Sequence, residues 1–377
     1  MPRLRFPGFG GEWKFVPFGS IIRETNLRTN IENEDILLSA AIEGMFLNSE
    51  LFDHQRSASN KGYKKIKLRT LVLSTQNLHL GNANVNLRFE HGIVSPAYKT
   101  YEVVGCDPVL LGQWVKTGKA KKFFFDATTV GASVCRRNVE WDTLYQQQLC
   151  LPTENEQHKL ADFLSLLTDR ISSQQRLVEL LKKHKRGLLR EVFEEKIDGD
   201  CYSFSEIASR RNEKIAPTKD SCLDCIELEH IEPETGMLLG CVPLNGQNSL
   251  KNLCKPSDIV FGKLRPYLRK FVFAENECAV SSETWVLTAV DGIYPKFLFY
   301  LIQSEPFMRA ASVSSGTKMP RSEWSNVANA KFYVPDRTQQ EIIAACFSEI
   351  DSRILASQRI LTAAQAYKRG LLQQIFV

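Results

Sequence analysis

The cysteines in the second half of the chain are the residues best suited to metal chemistry. Cys222 and Cys225 have the spacing of a zinc-ligand pair, and Cys241 and Cys254 follow them. Twelve residues separate the second pair, in place of the roughly two to four of a zinc ribbon, so the usual ligand pattern is broken. We therefore predict buried free thiols here, with a zinc site as the alternative.

Motifs for catalysis are absent or misplaced. The chain has no Pro-Pro dipeptide, which the base-gripping loop of a DNA amino-methyltransferase requires, and neither Gly118-Lys119 nor Gly262-Lys263 has the glycine spacing or the following Ser/Thr of a P-loop. Glu194 and Lys196 match the Glu-x-Lys form of metal-dependent nucleases, but they fall at the end of a predicted helix. We predict that the chain is not an enzyme and that it holds no cofactor and no metal itself.

Basic side chains interleaved with aromatic ones are better candidates for a binding role. The strings KGYKKIKLR, which begins at Lys61, and GKLRPYLRK, which begins at Gly262, each combine cations with a tyrosine. Lysine and arginine neutralise phosphates, and the arginine guanidinium makes paired hydrogen bonds to guanine. The alternative for each string is a solvated loop. The candidate DNA contacts are Lys61, Lys64, Lys65, Arg136, Arg137, Lys263, Arg265, Tyr267, Arg269 and Lys318.

The composition predicts a soluble protein with local basic patches. The 377 residues have a formal net charge of +5 and are 43% hydrophobic. They contain neither an apolar leader nor a run of about eighteen apolar residues. We therefore expect a cytoplasmic protein with no membrane partner, whose ten cysteines are reduced. Residues 1–151 carry a net charge of +5 and residues 194–334 a net charge of −3, so attraction to a polyanion is expected to be uneven along the chain.

The candidate contacts need a frame to position them, and the sequence shows one as an internal repeat. Segments 152–193 and 335–376 align without a gap at an offset of 183 residues, with 14 identities in 42 positions. A match of this length indicates a duplication. The chain is therefore predicted to contain two globular regions, each followed by a long element of the same design.

Both repeat segments have the apolar spacing of long packed helices. Alternate steps of four and three residues land on apolar side chains at eight of ten positions in each copy, which is the pattern of a helix that packs along a narrow seam. Because the region between the copies can return the chain, we predict an antiparallel coiled coil; two surface helices on separate domains are the alternative. The predicted seam residues are Leu160, Leu164, Leu167, Ile171, Val178, Leu181, Leu188, Ile343, Phe347, Ile350, Ile354, Leu361 and Leu371.

Two polar positions interrupt both seams at matching places. Gln174 corresponds to Ser357, and Lys185 corresponds to Lys368. A polar residue within such a seam commonly fixes the register of the helices at some cost in stability. We therefore predict that these positions control register.

The starts of both helices are also visible. Thr153 and Glu156 have the spacing of a capping box, and Asp336 and Gln339 are their counterparts; each pair follows a proline. We predict that each helix begins just after that proline.

Outside the helices, the pattern favours an α+β class. Short β-rich runs occur at 68–74 and 123–125, and a possible helix lies at 31–45. The second globular region echoes the first, because Phe18 aligns with Phe204 at an offset of 186 residues. We predict two related α+β regions, combined with the two helices in a pseudo-twofold arrangement.

This order of elements resembles the specificity (S) subunit of type I restriction-modification systems. The string LRFPGFGGEWKFVPFGSI, which begins at Leu4, resembles the usual opening of that family. Residues 151–157 and 185–189 resemble its first conserved region, and residues 334–376 resemble its second. GKLRPYLRK, and GIVSP from Gly92, are similar to segments of its target-recognition domains. The resemblance covers nearly the whole chain.

The resemblance implies a division of the chain and a set of partners. Residues 1–151 and 197–334 would be target-recognition domains, each reading half of a bipartite, asymmetric DNA site, and residues 152–196 and 335–377 would be the conserved helices that set the gap between the halves. The implied partners are double-stranded DNA, two methyltransferase (M) subunits and restriction (R) subunits, with S-adenosylmethionine, ATP and Mg on those subunits. The alternatives are an S-like module of a methyltransferase or phage-defence complex that lacks a nuclease and, less well supported, a stand-alone metal-dependent nuclease.

Overall fold

The chain forms two compact units. The structure is a computed structural model that describes residues 2–52, 59–133, 136–194, 198–313 and 319–376, without the side chains of residues 131–136. Unit 1 comprises Met1–Gln174 and Ile360–Val377, and unit 2 comprises Gln175–Arg359. Each unit therefore contains one globular region together with part of each repeat segment.

Unit 1 is built from short strands and short helices before the first long helix. Its described strands are β1 (Lys14–Pro17), β2 (Ile22–Thr25), β3 (Leu38–Ala40), β4 (Met45–Leu47), β5 (Lys64–Lys67), β6 (Leu71–Ser74), β7 (Ala83–Val85), β8 (His91–Val94), β9 (Tyr98–Val103), β10 (Thr128–Ser133), β11 (Arg136–Val139) and β12 (Gln148–Leu151). Its α-helices are α1 (Asn48–Leu51), α2 (Pro108–Trp114), α3 (Gly118–Asp126), α4 (Trp141–Gln146) and the first half of α5 (Glu154–Glu194).

Unit 2 follows the same plan. Its described strands are β13 (Asp200–Ser203), β14 (Ala208–Arg210), β15 (Lys214–Ile215), β16 (Asp224–Ile226), β17 (Val242–Pro243), β18 (Lys251–Cys254), β19 (Ile259–Gly262), β20 (Phe271–Phe273), β21 (Cys278–Val280), β22 (Thr284–Ala289) and β23 (Lys331–Val334). Its α-helices are α6 (Phe204–Ile207), α7 (Pro295–Leu301), α8 (Glu305–Ser312), α9 (Trp324–Ala328) and most of α10 (Arg337–Ile375), whose end belongs to unit 1.

An equivalent four-stranded antiparallel sheet lies in the core of both units. Its strand order is β2-β9-β6-β7 in unit 1 and β14-β22-β19-β20 in unit 2. The inner strands β6 and β19 bury all of their residues, as expected for short, mostly apolar runs. Phe18 and Phe204, which align in sequence, are both fully buried in the core that contains this sheet. The α+β class and the relationship between the two regions are therefore confirmed.

The two regions differ in their additional strands. Unit 1 has separate two-stranded sheets, β3-β4 and β5-β8, whereas unit 2 has a five-stranded sheet, β15-β18-β21-β16-β17. Each addition has its own small apolar cluster. The common sheet is therefore a shared scaffold on which different secondary sheets are built.

Two local predictions in unit 1 are wrong. Residues 123–125 are not a strand but belong to α3, because the Thr117 hydroxyl caps that helix by accepting a hydrogen bond from the Ala120 amide at 3.1 Å. Ala120 and Phe124, four residues apart, then lie on one buried face. The predicted helix at 31–45 is also wrong, since β3 lies within that range and pairs with β4.

A repeated glutamine fastens each long helix to the globular region of its own unit. Gln157 accepts a hydrogen bond from the Asp107 amide at 2.8 Å, and its side-chain NH₂ donates to the carbonyl of the proline before the helix at 3.0 Å. Gln340 makes the equivalent bonds in unit 2, to the Tyr294 amide at 2.8 Å and to the preceding proline carbonyl at 2.9 Å. Both glutamines are buried, so removing either amide would leave buried polar groups unpaired.

The two long helices run antiparallel in each unit. In unit 1 the start of α5 meets the end of α10, where Leu160 and Leu164 share a core with Leu371. In unit 2 the end of α5 meets the start of α10, where Phe193 stacks on Phe347 with ring centroids 6.3 Å apart. The predicted antiparallel helix pair is therefore confirmed.

None of the thirteen predicted seam residues is exposed: seven are buried and six are half-buried. The apolar stripe is wider than predicted, because the helix ends also pack on the globular regions. The additional buried apolar positions include two repeat-related pairs, Ala161 with Ala344 and Leu189 with Leu372.

Only one of the two predicted helix caps has the expected chemistry. The Asp336 carboxylate accepts a hydrogen bond from the Gln339 amide at 2.9 Å, as a cap does. Glu156 is instead fully buried, and its carboxylate accepts two hydrogen bonds from the Arg5 guanidinium, at 2.6 and 2.8 Å. This ion pair accounts for Arg5 in the N-terminal string, because it holds that segment against α5.

The lysines at the second polar position of each seam have partners that are themselves repeat-related. In unit 2 the Lys185 ammonium, almost wholly buried, lies 2.7 Å from the Asp351 carboxylate. In unit 1 the Lys368 ammonium donates a hydrogen bond to the Thr168 hydroxyl at 2.7 Å. Asp351 and Thr168 occupy corresponding positions, 183 residues apart. The same contact is thus an ion pair in one unit and a hydrogen bond from an ammonium to an uncharged hydroxyl in the other.

Replacing Asp351 by threonine should destabilise unit 2. The Asp351→Thr variant leaves the buried Lys185 ammonium without its counter-charge, and losing one member of a buried pair costs about 3 kcal/mol. Urea unfolding should show this loss in the free energy of unfolding. The matched control is the Lys185→Met/Asp351→Leu double variant, which removes both charges and should recover most of the stability. An Asp351→Thr variant as stable as the original chain would contradict the prediction.

The contact between Lys368 and Thr168 in unit 1 predicts that stability depends on pH. Burial alone lowers the pKa of Lys368, so the unfolded chain binds a proton that the folded chain has released. The free energy of unfolding should therefore rise with pH from the lowered pKa up to the unfolded value of about 10.4. Thr168→Asp supplies a facing carboxylate, which should raise the pKa of Lys368 and flatten this rise. Urea unfolding of both proteins at a series of alkaline pH values tests this, and parallel curves would refute it.

Candidate nucleic-acid interface

The basic string of unit 2 forms a tight loop between β19 and β20. Pro266–Leu268 make one turn of 3-10 helix, and the residue on each side of it has a left-handed backbone, with φ of 51° at Arg265 and 49° at Arg269. Only glycine adopts this conformation without a steric cost, which is roughly 1–2 kcal/mol for other residues. The loop therefore holds two strained arginines at fixed positions.

The backbone and neighbouring ion pairs hold this loop in place. The Arg265 amide donates to the Pro320 carbonyl at 2.8 Å, and Leu264 forms a bridge with Arg321. The Arg321 guanidinium in turn pairs with the Glu283 carboxylate at 3.0 and 3.1 Å. These supporting residues were not predicted from the sequence, because they lie far from the loop along the chain.

The four cations of this string are not equally available. Arg269 pairs with Glu305 at the start of α8, and the Lys270 ammonium donates to the Leu228 carbonyl at 2.6 Å. Lys263 is half-buried, whereas Arg265 and Tyr267 are exposed. Arg265 and Tyr267 are therefore the side chains of this loop best placed to contact a ligand in solvent.

The first basic cluster of unit 1 is dispersed by the fold. Lys61 is exposed at a turn, but Lys65 pairs with Glu34. Lys64 lies in β5 with its side chain buried, and this burial lowers its pKa. Lys64 is therefore wrong as a surface cation, because the alternation of β5 directs it inward.

Arg137 has a structural position in the β10-β11 hairpin. Its guanidinium donates to the Thr128 hydroxyl at 2.7 Å and to the Thr128 carbonyl at 2.6 Å, and it lies 4.2 Å from the centroid of the Phe125 ring. Its predicted DNA contact stays a prediction. The side chain of Arg136, and Lys318 with the loop around it, lie outside the described residues.

The cysteines divide between core and surface. Cys225 and Cys254 are buried, as predicted, and burial raises the pKa of Cys225 to about 11, which keeps it a thiol. Cys222 and Cys241 are exposed, so the prediction of buried thiols is wrong for them, because they lie outside the paired strands that bury the other two. No group of three or more potential metal ligands occurs among the described residues.

None of the helices that the structure describes is long and apolar enough to cross a membrane.

Solved structures share this arrangement, although no protein-family model and no curated protein matches the sequence. The S subunit of a type I restriction-modification system from M. genitalium is similar over 100% of this chain and 99% of its own, with a TM-score of 0.62 and 14% identity. A chain from a study of complex assembly and conformational transition in the type I R-M system is similar over 98% of both chains, with a TM-score of 0.53 and 14% identity. The HsdS subunit of Thermoanaerobacter tengcongensis is similar over 99% of this chain and 98% of its own, with a TM-score of 0.44 and 15% identity.

The chain therefore has a duplicated α+β fold with a pair of long antiparallel helices. This is the fold of type I restriction-modification S subunits, the proteins that it resembles in structure over nearly its whole length.

Relief of backbone strain should make the unit 2 loop more stable. Arg265→Gly allows the left-handed backbone without a steric cost, so the free energy of unfolding should rise by up to about 1 kcal/mol relative to Arg265→Ala. The alanine variant is the matched control, since it removes the same side chain and keeps the strain. Urea unfolding measures the difference. A glycine variant less stable than the alanine variant would show that the loop stores no strain at Arg265.

Proposed function

We propose that this chain is the sequence-specific DNA-recognition subunit of a type I restriction-modification complex. The observation that carries the proposal is the duplicated frame. Two units with the same central sheet, short helices and glutamine fastening carry loops of different chemistry. A protein that reads two different half-sites needs one scaffold used twice with two different reading surfaces.

The proposal assigns a role to each part of the chain. Residues 1–151 and 197–334 are the two target-recognition domains, and each reads one half of a bipartite, asymmetric site. Residues 152–196 and 335–377 form the helix pair, which sets the gap between the half-sites and docks two M subunits and the R subunits. The helices support this role because each runs from one unit into the other without a break.

Charge supports unequal contributions from the two domains. Residues 1–151 carry a net charge of +5, whereas residues 194–334 carry −3. Backbone attraction to DNA scales with the number of phosphates neutralised. The second domain therefore depends on individual placed cations, such as Arg265, more than on a general positive field.

The proposal gives the chemistry to other subunits. The M subunits bind S-adenosylmethionine and methylate adenine, and the R subunits use ATP and Mg for translocation and cleavage. This chain acts by placing DNA relative to them, and it contributes no catalytic group.

A map of methylated adenines in the host genome tests the proposal. The intact chain should give methylation in a bipartite motif, and deleting its gene should abolish that methylation. Arg265→Ala should alter one half of the motif, because a paired arginine–guanine contact supplies about 1–3 kcal/mol of discrimination. A map that is unchanged by the deletion would refute the proposal. Metal-dependent DNA cleavage by the isolated chain would also refute it and would favour a nuclease.

A further inference from the structure

The basic loop of unit 2 has a counterpart in unit 1 that its sequence conceals. Unit 2's loop joins β19 to β20, and the corresponding connection of unit 1 joins β6 to β7 in the same sheet order. It comprises residues 75–82, Thr-Gln-Asn-Leu-His-Leu-Gly-Asn. It contains no lysine or arginine, so it lacks the basic pattern of the unit 2 loop.

The two loops share the hydrogen bonds of a single turn. Leu78–Leu80 form a single 3-10 turn, as Pro266–Leu268 do. The amide of Leu80 donates to the Asn77 carbonyl at 3.1 Å, and the amide of Leu268 donates to the Arg265 carbonyl at 2.9 Å. Asn77 and Arg265 therefore occupy equivalent positions at the start of the turn, although the backbone there is left-handed only at Arg265, with φ of 51° against −117° at Asn77.

The end of the turn matches as well. Gly81 has a left-handed backbone with φ of 93°, and Arg269 has one with φ of 49°. The Gly81 amide donates to the Leu78 carbonyl at 2.8 Å, and the Arg269 amide donates to the Pro266 carbonyl at 2.8 Å. The loops thus share the bonds of the turn and its left-handed end, and they differ in their side chains and in the backbone at the start of the turn.

The exposed side chains of the unit 1 loop are amides. Gln76 and Asn77 are both exposed, and neither side chain has a hydrogen-bond partner within the described ranges. His79, at the position of Tyr267, is buried. The polar groups that this loop offers to a ligand are therefore an amide pair next to the turn.

Positive charge lies beside this loop. Helix α3 packs against the Leu78–Leu80 turn, and the Lys121 side chain lies 3.8 Å from the point where a β-carbon on Gly81 would stand. Lys119, Lys121 and Lys122 are all exposed. In unit 2 the equivalent helix α8 instead places Glu305 against Arg269. Unit 1 thus groups three exposed lysines on the helix, whereas unit 2 has Arg309 on the helix and its other cations on the loop.

Amide and guanidinium groups recognise different bases. Asparagine or glutamine makes paired hydrogen bonds to the N6 and N7 atoms of adenine, whereas arginine makes them to O6 and N7 of guanine. Lysines next to an amide reader supply the phosphate contacts that hold it in position. We propose that Gln76 and Asn77 read an adenine in the half-site of unit 1, at the position where Arg265 reads a guanine in the half-site of unit 2. The inference rests on the proposed DNA-recognition function.

With this assignment, the reading surface of unit 1 is the loop at residues 75–82 and not the basic cluster around Lys61 and Lys65. Lys61 and Lys65 lie outside the central sheet. Lys65 belongs to β5 and Lys61 precedes it, and in place of the β5-β8 sheet unit 2 has a larger and different arrangement. Residues 75–82 lie instead on the scaffold that both units share. Their position, equivalent to that of the basic loop in unit 2, supports a reading role for residues 75–82 more strongly than charge alone supports one for Lys61 and Lys65.

The test uses the full chain assembled with its methyltransferase partners and a library of duplexes with a randomised central segment. The original complex should select a bipartite motif. Gln76→Ala and Asn77→Ala should each weaken the preference for adenine at one position of one half-site, by about 5- to 100-fold for loss of the paired contact. Arg265→Ala should act only on the other half-site. Lys119→Ala is the matched control and should reduce binding uniformly, with a smaller salt dependence.

The possible outcomes distinguish failure of the proposed function from failure of the inference about Gln76 and Asn77. If the original complex selects no bipartite motif, the proposed function fails and the inference fails with it. If it selects one, but both amide variants keep the same preference in both half-sites, the inference alone is overturned. A uniform loss of binding with unchanged preference would make the amides phosphate contacts and would also overturn the inference.

Urea unfolding provides the control for folding. Since both residues are exposed, the variants should unfold at the urea concentration of the original chain.

Discussion

The arrangement depends on two lysines in the helix seam, Lys185 buried and Lys368 half-buried, each of which has a polar partner on the opposite helix. A buried ammonium without such a partner would be too costly to keep. Lys185 meets its requirement with Asp351, and Lys368 with the Thr168 hydroxyl. Sliding one helix along the other would separate both pairs. Apolar contacts along the seam tolerate a shift far better, since leucine can exchange one apolar neighbour for another. We therefore predict that the polar contacts favour one alignment of the helices.

The repeated glutamines extend this alignment to the globular regions. Gln157 and Gln340 bond to the residue just before a short helix of their unit, so the direction of each long helix and the position of the sheet behind it are linked. Each loop connects two strands of the central sheet in its own unit, β6 to β7 in unit 1 and β19 to β20 in unit 2. Within each unit, the constraints thus lead from the seam lysine, through the long helices and the glutamine amide, to the loop of that unit.

Much of this could be predicted from the sequence, and the failures have physical causes. The helices and the repeat were visible because apolar spacing and ungapped identity are local signals. The role of Glu156 was not visible because its partner, Arg5, is distant in the chain, and the burial of Lys64 was not visible because a basic string does not indicate which side of its strand packs inward. Residues 123–125 were mistaken for a strand because aromatic side chains suit both structures, and the Thr117 cap decided the outcome. The loop at residues 75–82 was missed because its resemblance to the basic loop lies in backbone bonds and not in residue types.

The backbone-to-backbone bonding of the two turns has a consequence for how such a protein evolves. The bonds that shape each turn involve amide and carbonyl groups, which every residue other than proline provides. The side chains at Gln76, Asn77 and Arg265 can therefore be exchanged without rebuilding the turn. A single nucleotide change in the gene could alter one loop and leave the other untouched, because the loops belong to separate cores. A lineage carrying this scaffold could acquire new specificities one side at a time, with each intermediate still folded.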